Sequence, residues 1–159
     1  MTSGPTVSDG ARELVGTVTR TYVSEPISLR QVREYIAATG RDPEAWTGQA
    51  ADGRREPVPP LFFHAACRPV VAEHHLNTDG QYPFLGVRGV TGHTMAGGAR
   101  YELLAPIYVG DVLTTVEELL SIEERVGRQG PLVLTKTRTS YTNQDGTLVA
   151  AYEQTIIFR

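Results

Sequence analysis

Residues 59–73 read PPLFFHAACRPVVAE, the one helix-length stretch of the chain that is apolar on nearly every side. A helix lying on a sheet surface needs one apolar stripe and one polar face. Here Leu61, Phe62, Phe63, Ala65, Ala66, Cys67, Val70 and Val71 run all the way round the wheel, and apart from His64 nothing polar intervenes before Arg68. Such a segment must be buried. The Pro59-Pro60 pair suits a first helical turn, where a missing amide hydrogen costs nothing. Pro69 removes a hydrogen bond and should kink or end the helix. Something has to wrap this segment, and the C-terminal half, which reads as strands, is the available wrapper.

Outward from that stretch, the strand signals are consistent. Residues 15–23 (VGTVTRTYV) are rich in β-branched side chains and predict a first strand. Ser28 can then cap a helix from Leu29 to about Thr39, with Leu29, Val32, Tyr35 and Ile36 as its apolar stripe and Gly40 as its stop. Residues 41–57 read as a long surface segment that carries Trp46, and residues 74–83 as another loop. Strands resume from Val87, with a core at 99–103, a continuation at 104–108 interrupted by Pro106, and a turn at Gly110-Asp111. Residues 112–126 predict a long bent strand. Residues 132–142 place Thr at alternating positions, 143–146 (NQDG) form a hairpin connection, and 147–158 return. Residues 1–10 are small, polar and turn-prone and predict a frayed tail, with one domain over residues 11–159. Consecutive antiparallel strands with one wholly apolar helix give an α+β domain in which a curved sheet wraps a helix, the hot-dog arrangement.

Composition bounds the function. The 159 residues suffice for a core without disulfides or metals. A formal charge of −3 with scattered Lys and Arg offers no basic stripe for nucleic acid, and no window has the apolar length of a membrane span. The single cysteine, Cys67, excludes an internal disulfide and a Cys-rich zinc site, and the N-terminus has no signal-peptide pattern, so a cytoplasmic location is expected.

Four quoted segments resemble a known family: VREYIA at 32–37 with Asp42 and Trp46 after it, PPLFF at 59–63, YELLAPIYVGD at 101–111, and TNQDG at 142–146. In this order they resemble the MaoC-like dehydratase N-terminal domains. They are most similar to the substrate-binding subunits of mycobacterial-type hydroxyacyl-carrier-protein dehydratases. The resemblance implies a ligand that is an acyl thioester of coenzyme A or acyl carrier protein, no cofactor, and assembly as a homodimer or as a heterodimer with another hot-dog subunit. It also places the wrapped helix at 28–40, leaving 59–73 as a second buried segment. Catalytic members resemble one another in a Gly-Asp-x-Asn-Pro-x-His segment whose Asp and His act on the thioester. The corresponding passage here is GRDPEAW at 40–46, with Asp42 displaced by one position and no histidine following. A lone carboxylate is poorly suited to the paired acid and base work of a hydration.

Activity would then need a base from elsewhere. His64, among Phe62, Phe63 and alanines, reads either as a neutral base facing a substrate tunnel or as a core histidine bonded to a carbonyl. His93 lies near Gly97 and Gly98, where missing side chains would let a thioester carbonyl approach the backbone. Its other reading is a polar strand-end residue. Asp42 is either an orienting acid or a turn opener. Trp46, Phe62, Phe63, Gly97, Gly98 and Tyr101 are the candidate substrate contacts. Tyr101 and Glu102 must face opposite sides of a strand, so at most one points at the helix. His74-His75 is a solvated pair, not a metal site. Three functions are compatible with these residues: a hydro-lyase on an acyl thioester, a non-catalytic acyl-binding subunit of a heteromeric dehydratase, or a relative turned to another biosynthetic intermediate.

Overall fold

The computed structural model describes residues 4–76, 80, 82 and 86–159. Half of the loop expected at 74–83 lies outside the described residues. In chain order the elements are β1 (Thr6–Val7), α1 (Asp9–Glu13), β2 (Val18–Val23), α2 (Leu29–Ala38), α3 (Phe62–Ala66), β3 (Val90–Thr91), β4 (Thr94–Leu103), β5 (Thr114–Gly127), β6 (Gly130–Thr142) and β7 (Leu148–Phe158). Five of the strands form one antiparallel sheet in the order β2-β5-β6-β7-β4. Its edge strands are β2 and β4, and the chain between them carries α2 and α3.

Local chemistry explains most boundaries. Ser28 and Gln31 form a reciprocal capping box at the start of α2, and Gly40, with φ of 78°, takes the left-handed turn after its end. The β6–β7 connection is held by Asn143 Oδ1, which accepts from the backbone N–H groups of Asp145 and Thr147. Residues 104–108, expected to extend a strand, are not strand. Leu104 and Ala105 instead donate their backbone N–H groups to Val149 O. Within the segment expected as a tail, β1 pairs with β3, Ser8 N–H bonds Gly89 O, and the Ser8 side chain caps α1.

The apolar stretch at 59–73 is helical over only five residues. Leu61 precedes α3 in the left-handed region, with φ of 67°, which a leucine adopts at a cost, and Cys67 closes the helix two residues before Pro69. Its burial is as expected, with Phe62 and Phe63 at 2% and 1% exposure. The two candidates for the wrapped helix turn out to share one core. Phe63 meets Tyr141 of β6 edge-on at 4.7 Å, and Phe62 meets Tyr35 of α2 at 5.5 Å, so α3 links the sheet to α2. Val32 and Ile36 of α2 join the same cluster, as does Trp46, which anchors what the sequence suggested was a surface segment.

The buried turn after that core is tied by a carboxylate. Asp111 is 5% exposed; its Oδ2 accepts from Tyr108 N–H at 2.8 Å, its Oδ1 from Gln144 at 3.3 Å, and the Arg55 guanidinium lies 4.0 Å away. Asp111→Ala leaves the half-buried Tyr108 N–H unpaired and is expected to destabilise the fold by about 1 to 2 kcal/mol in a urea titration. Asp111→Asn, which keeps an acceptor oxygen, should cost clearly less in the same measurement. Equal stability of wild type and the alanine variant would refute this role.

Strand alternation gives the sheet two different faces. On the outer one, Arg138 bonds Glu153 at 2.8 Å and Glu102 at 3.1 Å, Lys136 pairs with Glu153, and Arg100 with Glu102. These cations hold the Glu153 carboxyl below the usual range, Lys136 first and Arg138 second. The inner face carries the helices and the candidate site.

Candidate functional site

Two apolar clusters occupy the inner face. The larger, around α3, includes Leu113, Tyr141 and Val149; the smaller includes Leu119, Val133 and Phe158 at the other end of the same strands. Between them lies a cavity of about 220 Å³. Its floor is the threonine run Thr135, Thr137 and Thr139 of β6, flanked by Glu117 of β5 and Gln154 of β7; His64, Cys67 and Arg68 line it from the α3 side. The run follows from period-two alternation: threonines at every second residue of one strand must share a face.

Of the candidate bases, His64 is the one that reaches this cavity, and both of its ring nitrogens are engaged. Arg68 Nη2 lies 2.6 Å from Nε2, and Tyr141 Oη lies 3.4 Å from Nδ1. A guanidinium has only donors, so Nε2 accepts, Nδ1 carries the hydrogen, and Tyr141 Oη receives it. The ring packs edge-on against Tyr152 at 4.7 Å and Tyr101 at 5.7 Å. Burial first, and the Arg68 charge second, pull the His64 pKa down to about 4, so the ring is neutral at physiological pH. Burial likewise pushes the Cys67 thiol up to about 12, which leaves it an unreactive core group. Burial also raises the Tyr141 and Tyr152 phenols, so both stay protonated.

The histidine has a measurable consequence for stability. Unfolding restores a ring that binds a proton near pH 6.5, whereas the folded ring binds one only near pH 4. Between those values the unfolded state holds more protons, so stability is full above the upper value and falls as pH drops through the window. The loss attributable to His64 should be about 1 to 2 kcal/mol, below what the full shift implies because the ring is partly exposed and solvent screens its neighbours. Urea titrations at neutral pH and near pH 4 check this: His64→Gln should shrink the difference between the two by that amount. An identical pH dependence in both proteins would contradict the neutral, buried ring.

Glu117 is the carboxylate at the cavity. Thr19 Oγ1 donates to its Oε1 at 3.0 Å, and Arg20 lies 3.6 Å away, so its charge is already paired.

The other residues singled out in the sequence do not converge here. Asp42 is exposed and caps the short 3-10 turn Pro43–Ala45, its Oδ1 accepting from Glu44 N–H at 2.9 Å. His93 is exposed at the β3–β4 link, where its backbone exchanges hydrogen bonds with Arg159. Neither lines the cavity. Trp46, Phe62 and Phe63 are core residues that also do not line it. Gly97 and Gly98 sit at a bulge in β4; a Cβ on Gly97 would lie 2.9 Å from the side chains of Ile157 and Thr155, so the glycine is accounted for by close packing on β7. Tyr101 faces inward, stacked on Tyr152 at 4.7 Å, while Glu102 joins the outer charge network. Tyr101, His64 and Arg68 also line a second, open groove that includes Val70 and Tyr82. The His74 and His75 rings lie tilted against each other with centroids 4.1 Å apart, and no group of metal-binding side chains occurs among the described residues. What the sequence reading missed was Glu117, Gln154, Arg68 and the threonine run, although the alternation of Thr from 135 to 139 was a visible signal.

Comparison with known proteins agrees with this architecture. The profile of the family described as FAS1-like, dehydratase domain region, matches residues 13–152. No curated protein matches the sequence. Among solved structures, the ChsH1-ChsH2 complex from Mycobacterium tuberculosis superposes with a TM-score of 0.67 at 12% identity, over 94% of this chain and 86% of that one. The HadBC (3R)-hydroxyacyl-ACP dehydratase complex from the same organism gives 0.60 at 22% identity, over 87% and 94%. The R-hydratase PhaJ1 from Pseudomonas aeruginosa gives 0.55 at 18% identity, over 91% and 81%. At these identities the structural likeness establishes the hot-dog fold, and the profile spans most of the chain. No helix among the described residues is long and apolar enough to cross a membrane. With its five-stranded antiparallel sheet, its inserted helices and a match over residues 13–152, the chain belongs to the family described as FAS1-like, dehydratase domain region.

Proposed function

We propose that this chain is the acyl-binding, non-catalytic member of a heteromeric hot-dog dehydratase whose partner supplies the acid and base. The observation that carries this reading is the state of the cavity's ionisable groups. Adding water across an enoyl thioester needs a base to activate the water and an acid to return a proton to the α carbon. His64 Nε2, the only basic lone pair of that ring, is held by Arg68, and Glu117 is paired with Arg20. Asp42 and His93 lie on other surfaces.

The sheet edge supports a partner. β4 is a ten-residue edge strand, exposed along most of its length, with Met95, Tyr101 and Leu103 at 40%, 37% and 56% exposure. Long edges of this kind are normally covered or paired. Two of the structural relatives are named as complexes, ChsH1-ChsH2 and HadBC. The ligand of this reading is an acyl thioester of coenzyme A or of a carrier protein. The reaction is redox-neutral and calls for no cofactor.

A second reading, that the chain is itself a hydro-lyase, draws on one observation: His64 is neutral and borders the cavity. The two readings separate in an absorbance assay with crotonyl-coenzyme A. The isolated chain is expected to leave the enoyl band at the uncatalysed rate and to support turnover only with a hot-dog partner that carries an Asp/His pair. Turnover by the isolated chain, lost in His64→Gln, would reverse the assignment.

A further inference from the structure

A sheet face covered by helices is ordinarily apolar along its whole length, yet here a row of polar side chains interrupts it, with Leu119 opposite Thr137 and Ile156 opposite Thr135 beside them. Leu113, Tyr141 and Val149 mark one end, and Val133 and Phe158 the other. In the cavity between them the same face presents polar side chains in direct cross-strand register: Glu117 opposite Thr139, and Thr137 opposite Gln154. Thr135 continues the row. It is 1% exposed, lines the cavity, and its hydroxyl has no hydrogen-bond partner among the described residues. A valine there would have the same shape and leave no orphaned group. The neighbouring Gln154 accepts from Tyr152 Oη at 2.7 Å through its amide oxygen, so its amide nitrogen remains a donor.

A saturated chain laid along this face would strip water from these groups and return no hydrogen bond. A chain bearing oxygen at the right carbon would satisfy them, because a hydroxyl or keto group offers the acceptor, and a hydroxyl also the donor, that the row lacks. We propose that the cavity takes an acyl chain oxygenated along its length, with an interior hydroxyl or keto group held at the Thr135–Thr137–Gln154 row. This rests on the acyl-binding reading above and adds the class of chain.

The test is calorimetric titration of the full chain with octanoyl pantetheine and with a set of hydroxyoctanoyl analogues carrying the hydroxyl at successive interior carbons. At least one analogue should bind about tenfold more tightly than octanoyl pantetheine, the gain from one well-made neutral hydrogen bond in a desolvated site. Thr135→Val should remove most of that preference, and Thr135→Ser, which keeps the hydroxyl, should retain it. If octanoyl pantetheine binds as tightly as every analogue, the oxygenated-chain assignment is wrong while acyl binding stands. A preference indifferent to Thr135→Val also overturns it. If no thioester of either kind binds, both readings fail together.

Discussion

Phe63→Ala is expected to lower the unfolding free energy of the chain by about 3 to 5 kcal/mol, the cost of emptying a close-packed aromatic site. Phe63 is 1% exposed and sits where α3 meets the sheet, edge-on to Tyr141 at 4.7 Å and to Tyr101 at 6.5 Å. Little can collapse into the space it leaves. α3 is five residues long, entered through a left-handed leucine and left two residues before a proline, so its backbone has few ways to shift toward the sheet. The same truncation removes one wall of the contact that positions Tyr141, whose hydroxyl bonds His64. Urea denaturation followed by circular dichroism measures the change directly. A shift below about 1 kcal/mol at unchanged slope would mean that α3 is not the element on which the sheet packs.

The second large effect is on catalysis. Positioned acid–base groups contribute roughly 10² to 10⁴-fold to a proton-transfer step, and the acyl-binding role proposed for this chain assigns none of that to it. Paired with a hot-dog subunit that carries an Asp/His pair, the assembly should exceed the isolated chain by at least about 10²-fold in enoyl hydration. Three substitutions then locate the chemistry. Asp42→Asn and His93→Gln, both at exposed positions away from the cavity, should leave turnover of the pair unchanged. His64→Gln, which disturbs the Arg68 and Tyr141 contacts at the cavity, should alter substrate KM more than kcat. A loss of about 10² or more in kcat for any of the three, with the fold intact, would place a proton-transfer residue in this chain after all.

Much of the fold was legible because its signals are local. The Ser28 cap and the Gly40 stop bracket α2 within a residue of where it lies. The strands read at 112–126, 132–142 and 147–158 correspond to β5, β6 and β7. The opposite orientation of Tyr101 and Glu102 follows from alternation alone. Hydrogen-bond caps, turn residues and side-chain period act over two to five positions, and a sequence displays them without reference to anything distant. The family resemblance drew on the same kind of information, short segments in a fixed order, and the matched profile bears it out.

The candidate site was legible only in part. Adjacent apolar residues at 59–73 declared burial, but not that Leu61 would turn left-handed and confine the helix to Phe62–Ala66. Trp46 sits in a Gly- and Arg-rich passage that reads as surface, and it is buried because the core formed by α2 and α3 has room for it. His64, His93 and Asp42 were equivalent as letters. Only the path of the chain puts His64 against the cavity, beside Arg68 and Tyr141, and leaves the other two at a strand link and a turn.

The sequence by itself determined the long strands β5, β6 and β7, the ends of α2, and the sharing of one face by Thr135, Thr137 and Thr139, the last because a period of two admits no other outcome. It could not say whether that face meets water or helices. That was decided by the tertiary structure, in which the inner side of β6 meets apolar clusters, Thr135 is buried and Thr137 and Thr139 are half-buried along the cavity. The physical reason is that alternation fixes which side chains are neighbours, while burial depends on elements far away in the chain coming to rest on one side of the sheet.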